Sequence, residues 1–326
     1  MQTPTLALIV NRQKEIENFV PTQYWELKTV YRDITFNATK GKFDTLAEGE
    51  DFLKSIQGKE FTVTKVTEKK GTEYAPRLFD LTSLQVECNK KYSFSADDTL
   101  KTIQSLYEKK ITTYPRVDTT FLSDDIYPKC PQILVGLTDY ASIIEPLKGK
   151  KLPKSKKVFD NSKVTDHHAI IPTGVRGQNL TPMEQKVYDL VVRRFMAVLS
   201  EPFQYDEVKI EIGADKGCFF AKGKTAKVQG WKEYYGSAVD DEDDDEPEDK
   251  AQSLPVIKEG GKYPVLSTKI TQGKTKPPAR YTEATLLSAM ENPSKSTVTK
   301  PIKTYFHKFF IIDSYLFSCD KYFFEI

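Results

Sequence analysis

Several things are scarce in this chain of 326 residues. It has three His, two Trp, four Met and four Cys. The Cys stand at 88, 130, 218 and 319, which is neither a disulfide framework nor a CxxC metal pair, so a reducing, cytoplasmic setting is expected. No stretch reaches the roughly 18 uninterrupted apolar residues that a membrane span needs. The opening MQTPTLALIV lacks a basic n-region and a small-residue cleavage site, so no signal peptide is expected. Charge of one sign is also missing overall, with 48 Lys+Arg against 46 Asp+Glu. That balance conceals an asymmetry. Residues 240–250 (DDEDDDEPEDK) carry a local charge of −8, so a whole-chain charge of +2 leaves +10 on the rest. A basic body with an acidic, solvated loop is compatible with a polyanionic partner.

The hydrophobic share of 39% is ample for packed cores and excludes global disorder; the length suggests two or three domains. The opening LALIVNRQKEIENF has helical spacing, closed by Pro21. YWELKTVYRDITF (24–36) and EFTVTKVTEKKGTEY (60–74) are β-branched, aromatic and partly alternating, which predicts strands, with a short helix between them ended by Gly58. From Pro76 to Phe203 the signals are mostly helical. Ser95 is placed as an N-cap for 95–110, and Thr181 with Glu184 reads as a capping box for 181–200. Strands return in YDEVKIEIG, GCFFAKGKTAKVQGW and PVLSTKITQGKTKPP, and 278–295 is helical again. This order predicts one β domain into which a helical domain is inserted. The last 26 residues hold nine aromatics with no clean period.

Three segments carry chemistry. In Tyr114-Pro115-Arg116 the proline keeps Tyr114 out of α conformation, so the phenol is presented from a turn, and Arg116 can set a permanent cation beside an anion that meets it. A loop tyrosine packed on its neighbours has the same sequence. Asp166-His167-His168-Ala169-Ile170-Ile171-Pro172-Thr173 offers adjacent histidines, but no third ligand lies at metal spacing, so no metal site is expected. Pro277-Pro278-Ala279-Arg280-Tyr281-Thr282-Glu283 is a basic, hydroxyl-bearing helix entry that can hold a phosphate or simply cap the helix. The loop PLKGKKLPKSKK brings Lys148, Lys150, Lys151, Lys154, Lys156 and Lys157, either for phosphate attraction or as an ordinary solvated stretch.

In this order the segments resemble the type IA DNA topoisomerases, most closely the bacterial topoisomerase III branch. QTPTLALIVNRQKEIENFVP is similar to the segment after the family's Gly-Arg-Val. RLFDLTSLQVECNKKYSFSADDTLKTIQSLYEKKITTYPRVDTTFL is similar to the active-site block, DHHAIIPTG to the His motif, and PPARYTEATLLSAMENPSK to a motif near the end of the core. The resemblance covers 2–295 and implies an α+β, multidomain core: an arch-like β domain (21–76 and 203–277, with the acidic loop 240–250) and a helical domain bearing the catalytic Tyr (77–202). It also implies a helical single-stranded-DNA-binding domain to which 1–20 and 278–295 contribute, and leaves 296–326 as an off-family tail. The implied activity is ATP-independent: one DNA strand is cleaved through a 5′-phosphotyrosine on Tyr114, another is passed, and the break is resealed.

The resemblance makes Arg116 and His167 the catalytic partners of Tyr114. It makes Gln2, Thr3, Gln85, His168, Arg280 and Thr282 DNA contacts, with His168 where the family varies, and the basic loop adds Lys150 and Lys151 to them by its charge alone. Val117-Asp118-Thr119 departs mildly from the family's Thr-Asp-Ser. Family members begin with a Toprim domain that binds Mg²⁺ and supplies a catalytic Lys. Nothing of that kind precedes Gln2, so a central fragment with no cofactor of its own is expected, served by a separate Toprim-bearing chain. The implied substrates are single-stranded and negatively supercoiled DNA, in the bacterial cytoplasm at the nucleoid, with no membrane partner. The alternative is a non-catalytic remnant that grips single strands. Tyrosine recombinases need several dispersed Arg and His, and relaxases a His-apolar-His metal motif, which the adjacent histidines do not form.

Overall fold

The computed structural model describes residues 2–31, 34–214, 217–235, 254, 257–263 and 267–291. The chain forms two compact units, each assembled from separated stretches. One comprises Val20–Pro76 and Met196–Lys276; the other comprises Met1–Phe19, Arg77–Phe195 and Pro277–Ile326.

The first of these is built on an antiparallel sheet of β1 (Gln23–Tyr31), β2 (Ile34–Phe43), β3 (Phe61–Glu73), β4 (Phe203–Ala214), β5 (Gly217–Val228), β6 (Lys262–Tyr263) and β7 (Ser267–Lys274). The spatial order is β6-β3-β4-β5-β2-β1-β7, so strands from 23–43, 61–73 and 203–228 share one sheet. The expected single strand over 24–36 is instead two strands, paired from Tyr31↔Ile34 outward. Period-two alternation sends Leu27, Phe36, Val63, Ile210 and Phe219 to one buried face. Helix α2 (Leu46–Ile56) covers that face: the Phe52 ring lies 5.4 Å from Phe43 and 6.1 Å from Phe219. Thr45 caps α2 by accepting from the Glu48 N–H, and Gly58 follows its end at φ +73°. On the other face the register sets Lys209 beside Lys222 and Glu207 beside Lys224, and the Tyr205 ring lies across Gly71 of the next strand. The acidic loop 240–250 lies outside the described residues.

The helical unit contains α1 (Gln2–Glu17), α3 (Leu81–Tyr92), α4 (Ala96–Glu108), α5 (Cys130–Gly136), α6 (Ala141–Ile144), α7 (Pro182–Val198) and α8 (Glu283–Glu291). Leu8 of α1 is buried against Tyr281, Leu286, Ala289 and Met290. The start of α8 is tied to α3 and α4, since Asn89 Oδ1 accepts from the Ala284 N–H and Glu283 accepts from the Ala96 N–H. Residues 2–19 and 277–291 fall in the same compact unit as 77–195. The helical expectation for 76–203 also needs correction. The long helices lie within 81–108 and 182–198; between them 124–147 holds only short helical segments, α5 and α6 among them, and the rest is mainly irregular, with the single bridges Phe79↔Ile170, Thr112↔Pro172 and Leu122↔Phe159. Among the described residues no helix is long and apolar enough to cross a membrane. Residues 296–326, expected to form an off-family tail, lie outside the described residues.

Candidate active site

The path to Tyr114 begins at the end of α4. Ser95 caps the helix start by accepting from the Asp98 N–H at 3.0 Å. After the C-cap Lys109, Lys110 adopts φ +63°. Its N–H bonds the Tyr107 carbonyl at 2.8 Å, and the Ile111 N–H bonds the Leu106 carbonyl at 3.1 Å. These two bonds form a Schellman motif, closed by apolar contact between the buried Leu106 and Ile111, with lysine in the place glycine usually takes. The carboxylate of Glu184 anchors the same end, accepting from Lys109 Nζ at 2.6 and 2.8 Å and from the Ser105 hydroxyl at 2.7 Å. Glu184 also completes the expected capping box with Thr181. Burial pushes this carboxyl up, but Lys109, the Thr181 N–H and Ser105 outweigh it and hold the group at about 2.

The reversal lays 111–113 along 169–173. Thr113 N–H bonds the Ile171 carbonyl and Thr173 N–H bonds the Ile111 carbonyl, both at 3.0 Å. The Thr113 hydroxyl donates to the Ala169 carbonyl and accepts from the Ile171 N–H. The apolar Ala169, Ile170 and Ile171 are buried, which fixes the histidines just before them at the rim. Tyr114, half-buried, thereby meets His167: their ring centroids are 4.5 Å apart at 39°. Tyr107 stands edge-on to Tyr114 from α4, at 5.5 Å and 79°. The rings open onto a cavity of about 550 Å³ lined by Lys110, Thr112, Tyr114, Asp166, His167 and His168, among others.

His168 Nδ1 lies 2.8 Å from the Ala169 carbonyl, so this nitrogen carries the proton and donates it. Burial lowers the pKa of His168, which favours the neutral ring. Of the sequence-predicted residues, Tyr114, His167 and His168 come together at the cavity. Arg116 is exposed and is not among the residues lining it. Gln85 uses its amide to bond the Ala96 carbonyl, joining α3 to the start of α4. Thr282 caps α8, its Oγ1 accepting from the Thr285 N–H while its own N–H bonds Thr285 Oγ1. Arg280, Lys150 and Lys151 are exposed outside the cavity. Gln2 and Thr3 begin α1, and their side chains lie outside the described ones. Sequence reasoning placed Tyr107 only in the apolar stripe of α4, and it did not single out Lys110 or Thr112.

Comparison with known proteins identifies the family. A family model described as DNA topoisomerase matches residues 1–319, which carries the likeness past residue 295, into the stretch expected to be off-family. DNA topoisomerase 3 of Bacillus subtilis is 41% identical over 306 residues, covering 90% of this chain and 42% of that protein. DNA topoisomerase 3 of Bacillus licheniformis is also 41% identical, over 90% of this chain and 41% of its own length. The structure of full-length topoisomerase I from Thermotoga maritima superposes with a TM-score of 0.69 at 25% identity, over 90% of this chain and 48% of that one. The chain thus spans well under half the length of the curated relatives it matches, and over that span it belongs to the type IA DNA topoisomerases, in the topoisomerase III branch.

Proposed function

We propose that Tyr114 is the nucleophile of an ATP-independent strand-passage cycle on DNA. The phenolic oxygen attacks a phosphodiester of a single strand. An O–P bond to Tyr114 forms, the bond from phosphorus to the 3′ oxygen breaks, the phenol loses its proton, and the leaving 3′ oxygen gains one. The phosphotyrosine keeps the phosphodiester's energy, so the 3′ hydroxyl reseals the break by the reverse path without a nucleotide. The observation that carries this reading is a half-buried tyrosine, presented from a Tyr-Pro-Arg turn onto an open cavity with the His167 ring against it.

Deprotonating an ordinary phenol at pH 7 costs about 4 kcal/mol, which positive charge near the phosphate must offset. In this reading His167 serves proton transfer or hydrogen bonding at the scissile group, Arg116 reaches the phosphate once DNA is bound, and Arg280, Lys150 and Lys151 hold flanking phosphates. His168, already donating from Nδ1 to the Ala169 carbonyl, acts through its remaining ring nitrogen. Single-stranded and negatively supercoiled DNA are the substrates, met at the nucleoid in the bacterial cytoplasm. The Mg²⁺ that the resemblance implies finds no fit here: among the described residues no group of three or more His, Cys, Asp or Glu is arranged to hold it. No step is routed through it, and a Toprim segment of this or another polypeptide would carry it.

The test is a denaturing trap of covalent adduct on an end-labelled single-stranded oligodeoxynucleotide. With a Toprim-bearing half supplied in trans or by fusion, the native protein should yield a 5′-linked adduct and Tyr114→Phe none. A 5′-linked adduct that survives Tyr114→Phe overturns the assignment. Salt-sensitive binding with no adduct in either protein selects the non-catalytic strand-gripping reading.

A further inference from the structure

Two polar side chains in the cavity beside Tyr114 make no hydrogen bond or ion pair among the described residues that would account for them. Lys110 stands at φ +63°, where glycine is unstrained and a lysine side chain is not. The backbone bonds of that turn use only its N–H and its carbonyl, which accepts from the Thr173 hydroxyl at 2.6 Å, so glycine would close the turn equally well. Its side chain is exposed on the cavity and is the sole Lys or Arg among the lining residues. Two residues on, Thr112 is 2% exposed, and its Oγ1 has no hydrogen-bond partner among the described residues. A buried hydroxyl left unpaired is rare and destabilising. The chain thus keeps a strained lysine and an orphan hydroxyl side by side on one wall, where Gly and Val would fold at least as well. The same cavity also carries Glu108 and Asp166, so net charge alone would not draw an anion in.

We propose that the Lys110 ammonium and the Thr112 hydroxyl form a phosphate subsite, donating to the non-bridging oxygens of a DNA phosphodiester held against Tyr114. The proposal rests on the reading of Tyr114 as a nucleophile toward DNA and names the groups that hold its target. It accounts for both anomalies at once, because a bound phosphate pairs the hydroxyl and gives the strained residue its use. It also sets a second cation beside the phosphate, on the cavity wall itself, where Arg116 must reach in from outside the lining.

The experiment compares Lys110→Gly and Thr112→Val with the native protein in three measurements: thermal midpoint, salt dependence of binding to a fluorescent oligodeoxythymidine, and rate of adduct formation. Both midpoints should stay level or rise by about 2 °C, as strain or an unpaired group is removed. Lys110→Gly should flatten the log–log salt slope by about 0.7, one phosphate contact on single-stranded DNA. Thr112→Val should weaken binding at least about tenfold with the slope unchanged, because its contact is neutral and a hydrogen bond to a charged group is of that order. Both variants should slow adduct formation about tenfold. Native affinity and slope in both variants overturn the subsite, as does a midpoint fall of several degrees, which would give the two residues a structural role instead. If the native protein forms no adduct, the nucleophile reading fails alone, and the salt slope still decides the subsite.

Discussion

In the sheet unit β3 and β4 pair continuously from Thr62↔Gly213 to Glu73↔Phe203, interrupted by one bulge. In the helical unit, residues 109–181 are held by isolated bridges, by one helix-end motif and by side chains bonded to backbone. A ladder is redundant: losing one bond leaves its neighbours to keep the register. The loops around Tyr114 have no such reserve, and each position depends on a few named groups such as Thr113, Thr173 and Glu184. The sheet should therefore be sensitive mainly to lost core volume, and the site region to single polar contacts.

The largest expected effect is in the sheet core. Phe219 is fully buried and touches the rings of Phe52 and Phe61. Phe219→Ala should cost about 3–5 kcal/mol by chemical denaturation, the usual range for a buried phenylalanine. A smaller loss than from any single polar change near the site would break the contrast.

Next comes Glu184→Gln, which keeps the volume but removes the charge that Lys109 and Ser105 meet; a loss of about 2 kcal/mol is expected. Because the folded carboxyl is held at about 2, below its ordinary 4.5, its contribution is complete above pH 4.5 and disappears as pH falls toward 2. Stability measured from pH 6 to pH 2 should fall less steeply in Glu184→Gln than in the native protein. Parallel curves would remove Glu184 as the anchor of the α4 end.

The smallest effect sharpens the contrast from the sheet side. A Cβ at Gly71 would run into the Tyr205 ring, yet that ring is the mobile end of a side chain on a redundant ladder. Gly71→Ala should cost only about 1 kcal/mol, with the strand pairing intact by amide exchange. Loss of protection along β3 and β4 would show that the ladder depends on that one contact after all.

Much of this was legible beforehand because it is written in local chemistry. Alternation marked the strands, Ser95 and the Thr181–Glu184 box marked two helix starts, and Pro115 fixed Tyr114 in a turn. The division into β1 and β2 was missed because no Gly or Pro separates them, and the irregular parts of 109–181 because their apolar residues mimic helical spacing. Lys110 escaped notice since helix ends are sought by glycine, and a lysine at φ +63° has no sequence signature.

The sequence by itself determined which residue types could do the chemistry, since a phenol after a helix and a His pair before an apolar triplet are properties of short segments. Only the tertiary structure decided which of them meet. It set His167 against Tyr114, left Arg116 off the cavity wall, and spent Gln85 and Thr282 on helix ends. The reason is physical: the bonds that bring 107–114 to 166–173 join backbone groups more than fifty residues apart, such as Thr113 and Ile171. Every residue has those groups, so no residue type announces where they will pair.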